Sequence, residues 1–111
     1  MDPQEHFQQG ITQFSKANYL ESLLSYTAAI EIQRFLLENR KLDPDQYHNY
    51  IDMADAYNYR GRAKKELGDL IGAEADWTQA VEYRIDEANK ILEMKQNLES
   101  IVSGKPLKAV K

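Results

Sequence analysis

His6 and His48 are the only histidines. Neither has a second histidine three or four residues away, the spacing that would set two imidazoles on one helix face toward a metal. There is no cysteine, which excludes thiolate ligands, thiol nucleophiles and disulfides. Carboxylate pairs are plentiful, but a catalytic pair needs a cleft and a displaced pKa. No serine, histidine and acid stand in a nucleophile motif. Gly68-Asp69-Leu70-Ile71-Gly72 carries two glycines, yet it lacks the lysine and the serine or threonine of a phosphate-binding loop. These residue types point away from an enzyme, a cofactor and a metal. What remains is the chemistry of binding. Phe7, Ile11 and Phe14 recur at steps of four and three, an apolar stripe on a helix. Asp55, Asn58, Tyr59 and Arg62 supply a carboxylate, an amide, a phenol and a guanidinium on one face. They either hydrogen-bond a polar partner or form a solvated surface. Tyr47, Tyr50, Tyr57 and Tyr59 cluster, and tyrosine suits interfaces and the rims of small helical cores alike.

The bulk of the sequence narrows the partner. The chain has 111 residues, enough for one domain, and a formal net charge of −4. A nucleic-acid-binding surface would carry a basic excess, and there is none. Met1-Asp2-Pro3-Gln4-Glu5 is acidic and polar with no apolar run behind it, and apolar stretches such as Ala28-Ala29-Ile30 are too short to span a bilayer. The expectation is a cytoplasmic protein with no membrane and no nucleic-acid partner.

Such side chains need rigid elements to hold them, and the pattern predicts an all-α chain of four helices. Asp2-Pro3-Gln4-Glu5 opens the first with a cap, a proline in the first turn and an acid three residues after the cap. It runs to about Ser15, and Lys16-Ala17-Asn18 makes a turn. The second helix starts near Tyr19 and ends around position 40. Asp43-Pro44-Asp45-Gln46 repeats the start signal, predicting a third helix from there through Leu67. Gly68-Asp69 breaks it. The fourth is elongated, from near Leu70 through Val102, about 48 Å at ~1.5 Å per residue. Gly104 and Pro106 stop it. A basic tail with Lys105, Lys108 and Lys111 follows over 104–111, the expected frayed end.

The two halves repeat at an offset of 51 residues. Gly10 falls on Gly61, Tyr19 on Leu70, Ser22 on Ala73, Tyr26 on Trp77, Thr27 on Thr78, Ala29 on Ala80, Ile30 on Val81 and Glu31 on Glu82. Small residues meet small ones and aromatics meet aromatics, so a helical hairpin occurs twice, over about 2–40 and 44–102, within one domain of residues 1–103. A small residue in the first helix lets the second cross closely, and the aromatic fills the space beside the crossing. One hairpin cannot bury its own apolar face, so hairpins stack.

This Gly…Ala…aromatic…Ala spacing resembles the tetratricopeptide repeat, most closely over Gly61–Val81, with Tyr57 where that family has tryptophan or tyrosine. The resemblance implies two stacked antiparallel hairpins whose first and third helices line a concave face. On it, Phe7, Ile11 and Tyr59 would anchor a partner helix or peptide, beside Phe14 and Asp55, with Asn58 or Arg62 setting direction. The alternative is a first helix rotated so that the stripe is core. The lysine–asparagine clamp that some members use for a terminal carboxylate is missing, since Phe7 and Ile11 stand in its place. The repeat also departs from the family's length of about 34 residues. No proline ends either unit at Arg34 or Ile85, so both second helices run on. The expectation is then a small bundle of Phe35, Leu36, Tyr47, Tyr50, Ile51, Ala88, Ile91 and Leu92 beyond the repeat core. Function is expected as a protein–protein interaction module, an adaptor, assembly factor or small regulatory subunit. The other expectation is a homodimer built on the stripe and the long last helix.

Overall fold

The computed structural model describes residues 1–39 and 41–102. The expected basic tail lies outside the described residues. Among those described there are four α-helices and no strand: α1 (Pro3–Ser15), α2 (Tyr19–Glu38), α3 (Met53–Glu66) and α4 (Leu70–Val102), with a 3₁₀ turn over Pro44–Asn49. Helix α1 pairs with α2, α3 pairs with α4, and α2 meets α3, so two hairpins join through their inner helices. None of the helices described is long and apolar enough to cross a membrane.

The start of α1 follows its sequence. The Asp2 carboxylate accepts from the Glu5 backbone N–H at 2.8 Å, and Glu5 accepts in turn from the Asp2 N–H at 3.1 Å. This reciprocal cap satisfies two of the donors that a helix start leaves unpaired. The repeat persists in the turns. Ala17 and Gly68, one offset apart, both have left-handed backbones, with φ of 61° and 86°. It also persists at the crossings. A Cβ added to Gly10 would meet Tyr26 ring carbons at 2.5 and 2.6 Å, and one added to Gly61 would meet Trp77 Nε1 at 2.7 Å. Each glycine is therefore the seat of the aromatic in the next helix. Ser22, at the first crossing, donates to the Gly10 carbonyl at 2.9 Å, whereas its counterpart Ala73 is buried with no polar group to satisfy.

The core lies between the hairpins. Ala29 and Ile30 of α2 pack with Ile51, Met53, Ala56 and Tyr57, and Phe7, Ala80 and Tyr83 close around them. Tyr57 and Tyr83 stack at 5.8 Å between ring centres. Polar groups inside are paired. Buried Asp76 of α4 takes two bonds from Arg60, at 2.8 and 2.7 Å, and faces Lys64 at 3.1 Å, fastening α4 to α3. Hydrogen bonds from a charged donor to a buried carboxylate are the strong kind.

Two expectations are corrected. The third helix starts at Met53 rather than at Asp43. The Asp43 cap holds only a 3₁₀ turn, accepting from the Asp45 N–H at 3.0 Å. The chain then runs extended, because the buried Gln33 amide takes both backbone groups of Ile51: its Nε2 donates to the Ile51 carbonyl and its Oε1 accepts from the Ile51 N–H, each at 2.6 Å. Asp52 next caps a new helix by accepting from the Asp55 N–H at 3.1 Å. The bundle beyond the repeat core does not form either. Phe35, Tyr47, Ile91 and Leu92 are exposed, Ala88 is exposed, and α4 lies open to solvent at every residue from Arg84 to Glu99. Ile51 is buried, but on the hairpin core under Gln33.

Candidate partner-binding groove

The seven residues singled out in the sequence do not share one surface. Phe7 of α1 turns inward between Tyr26 and Tyr59, with ring centres at 5.7 and 5.3 Å, and Tyr26 and Tyr59 meet edge-on at 6.1 Å. Burial pushes the Tyr26 hydroxyl above its ordinary pKa, so it stays protonated as a member of this ring cluster. Ile11, Phe14, Tyr59 and Arg62 come together, with Ser15 and Tyr26, around a small hollow of ≈150 Å³ on the α1/α3 side. The Arg62 guanidinium lies over the Tyr59 ring at 5.0 Å, a cation–π contact that holds both at the rim.

Asp55 and Asn58 face the other way. With Ala54 they form the α3 wall of a larger hollow, ≈420 Å³, whose α4 wall is Trp77, Ala80, Val81, Arg84, Ile85 and Ala88. The floor is apolar, and Trp77 is fixed in it by a bond from its Nε1 to the Asn58 carbonyl at 3.2 Å. Charge gathers at one end. Arg84 reaches Asp52 at 2.9 Å, Asp55 at 2.7 Å and Glu87 at 3.2 Å. Those bonds, the one to Asp52 first, raise the Arg84 pKa above its ordinary value. Partial burial would raise the Asp52 carboxyl, but the Arg84 bond, the Asp55 and Ala54 amides and the Arg84 charge together hold it below the usual range. Three carboxylates surround one guanidinium, so this end of the groove is acidic.

The offset of 51 shows what this groove is. The residues equivalent to Trp77, Ala80, Val81 and Arg84 are Tyr26, Ala29, Ile30 and Gln33, and on the first hairpin these four form the seat of α3. All four are buried there. On the second hairpin nothing among the described residues lies on the equivalent surface, and Ile30 is 1% exposed where Val81 is 57%. Residue types on the first and third helices do not reveal the α4 wall. The signal that finds it is the repeat itself, since every core position of the first hairpin has a counterpart on the second.

No protein-family model matches the chain, and no curated protein or solved structure does so either.

Proposed function

We propose that the protein is a protein–protein interaction module of tetratricopeptide-like construction that works by seating an apolar helix in the groove between α3 and α4. The observation that carries this reading is the repetition of a seat: the surface that receives α3 on the first hairpin recurs, open, on the second. Exposed apolar surface with a polar rim is where helices dock, and helix-in-groove recognition takes side chains at steps of three and four. The orientation follows from the filled seat. There α3 runs antiparallel to α2, with Ile51 beside Gln33 and Tyr59 beside Tyr26. A guest on the second hairpin runs antiparallel to α4 in the same way. The acidic end around Arg84 favours a guest with a basic residue there.

Trp77 is the only tryptophan and lines the groove, so its emission reports occupancy. A peptide copying residues 50–62, the occupant of the equivalent seat, serves as the probe. Binding is expected to move the emission to shorter wavelength, and Val81→Glu, a change at a half-exposed site, is expected to abolish the response with helicity unchanged. A peptide that binds with no change at Trp77, or equally well to the Val81→Glu variant, would place the binding surface elsewhere.

A further inference from the structure

Past the groove α4 leaves the body of the molecule. Every residue from Arg84 to Glu99 is exposed, yet this outer half carries Ile91, Leu92, Met94, Leu98, Ile101 and Val102, which are 52–77% exposed. From Trp77 to Val102, alternating steps of four and three strike an apolar residue everywhere but at Arg84 and Lys95. That is the period of a seam on which two helices wrap. One helix therefore bears both halves of an interface: an open groove at its inner end and an uncovered apolar stripe at its outer end.

We infer that the groove is filled by the outer half of α4 from a second copy of this chain, the two α4 helices lying antiparallel about a two-fold axis near Asn89 and Lys90. This rests on the reading that the groove seats a helix, and it names the helix. An antiparallel pair meets the orientation set by α3 on α2. Centred there, the pairing sets Trp77 across from the partner copy's Val102, Val81 across from its Leu98, and Ala88 across from its Ile91. The two interruptions also coincide, because Arg84 faces Lys95. Arg84 comes with Asp52, Asp55 and Glu87, so Lys95 meets a surplus of negative charge. Among the described residues Lys95 pairs with Glu99, at 4.0 Å and exposed. A parallel pairing would set Lys95 against Lys95 and leave both grooves empty.

Head-to-tail stacking does not compete. The positions of α1 that correspond to Ala56, Tyr57, Arg60 and Ala63 of α3 are Glu5, His6, Gln9 and Thr12. This end of the molecule is polar and has nothing to place in an apolar groove, so the association closes at two copies. Each copy would bury a stripe and a groove, two faces of ~18 Å by ~10 Å at helical dimensions. Summed over both partners that is on the order of 700 Å², the size of a weak association whose dimer fraction depends on concentration.

The test is the mass of the full chain by light scattering over a wide concentration range, with Trp77 emission recorded on the same samples. The expected result is a monomer–dimer equilibrium whose dimer fraction tracks a blue shift of Trp77. Leu98→Asp should leave a monomer. Lys95→Glu should weaken the dimer about tenfold or more, and Glu87→Lys placed in the same chain should restore much of it. Both Leu98 and Lys95 are exposed, so unchanged helicity shows that the fold survives. A monomer at every concentration overturns the inference, as does a dimer indifferent to Leu98→Asp. If that monomer still answers the residue 50–62 peptide at Trp77, the groove reading stands and only the second copy falls. If it answers neither, both fall.

Discussion

The same seat occurs twice, and among the described residues only one is filled. On the first hairpin Tyr26, Ala29, Ile30 and Gln33 lie under α3, and on the second Trp77, Ala80, Val81 and Arg84 line the open groove. Backbone geometry does not separate them, since glycine under the aromatic and a left-handed turn residue recur in both. The difference lies in the last of the four positions. Gln33 offers an amide, which pairs both ways with the backbone of the segment entering α3. Arg84 has only donors, and it spends them on carboxylates of its own hairpin. An amide there closes a seat inside one chain. A guanidinium with surplus acids leaves the seat open and charged. The filled seat therefore belongs to folding stability, and the open one is the proposed site of association.

The sharpest way to break this comparison is to truncate the matched pair Ile30 and Val81. Ile30→Ala removes a fully buried side chain and should cost about 2–5 kcal/mol in urea unfolding. Val81→Ala acts on a half-exposed site and should stay within about 0.5 kcal/mol. Similar costs at the two sites would mean that the second seat is already covered within the chain.

Next in size is the clamp. Gln33→Leu keeps the volume but strands the buried N–H and C=O of Ile51, at a cost of about 2–4 kcal/mol. Hydrogen exchange at the Ile51 amide should accelerate with it. Arg84→Gln should leave unfolding almost untouched, because its guanidinium and its partners are open to solvent. Gln33→Glu sharpens the point through pH. A carboxylate there can accept from the Ile51 N–H but repels the carbonyl, whereas the neutral acid satisfies both. The folded state thus raises the pKa of this variant's carboxyl. Its stabilisation is complete below the ordinary value of about 4.3 and is lost as pH rises above it, so the variant should be more stable relative to the wild type in mild acid than at neutral pH.

How much of this was legible depends on whether a feature is local or repeated. The α1 cap, both turns and the glycine–aromatic crossings come from short spacings, and the offset of 51 carries them from one hairpin to the next. The all-α architecture and the elongated last helix were readable for that reason. The late start of α3 was not, because Asp43-Pro44 is a sound start signal. What stops it is Gln33, 18 residues upstream of the Ile51 backbone that it claims. The stripe of Phe7, Ile11 and Phe14 is plain in the sequence, but its division is not: Phe7 goes to the ring cluster, while Ile11 and Phe14 go to the small hollow. The open groove hides for a deeper reason. Val81 aligns with Ile30 and has the same chemical type, so pattern alone assigns both to a core. Burial at Val81 depends on what lies over the second hairpin, which no spacing within that hairpin records.

The crossing glycines give a smaller but cleaner contrast. Alanine normally gains about 1 kcal/mol over glycine inside a helix. At Gly10 the added methyl meets the ring of Tyr26, which is buried against Phe7 and Tyr59, so overpacking of about 1–3 kcal/mol should outweigh that gain and leave Gly10→Ala destabilised by up to about 2 kcal/mol. At Gly61 it meets Trp77, whose ring borders the open groove and can swing into it. Gly61→Ala should therefore be nearly neutral for unfolding while shifting Trp77 emission and weakening whatever the groove holds. Equal losses at the two glycines would show that the Trp77 ring is as confined as that of Tyr26.

The smallest expected effect separates the two turns. Ala17 sits at a left-handed φ of 61°, where a Cβ crowds the following carbonyl, while the equivalent Gly68 has none. Ala17→Gly removes that strain, worth roughly 1–2 kcal/mol, but frees the unfolded chain by about 0.4–1 kcal/mol, so the net gain should lie between zero and about 1.6 kcal/mol. Gly68→Ala reverses both signs and should lose a similar amount. In thermal melts these should appear as opposite shifts of a few degrees, at about 4–8 °C per kcal/mol for a domain of this size. If Ala17→Gly lowers Tm instead, the turn is held by contacts of the Ala17 methyl, and the two hairpins differ in their turns as well as in their seats.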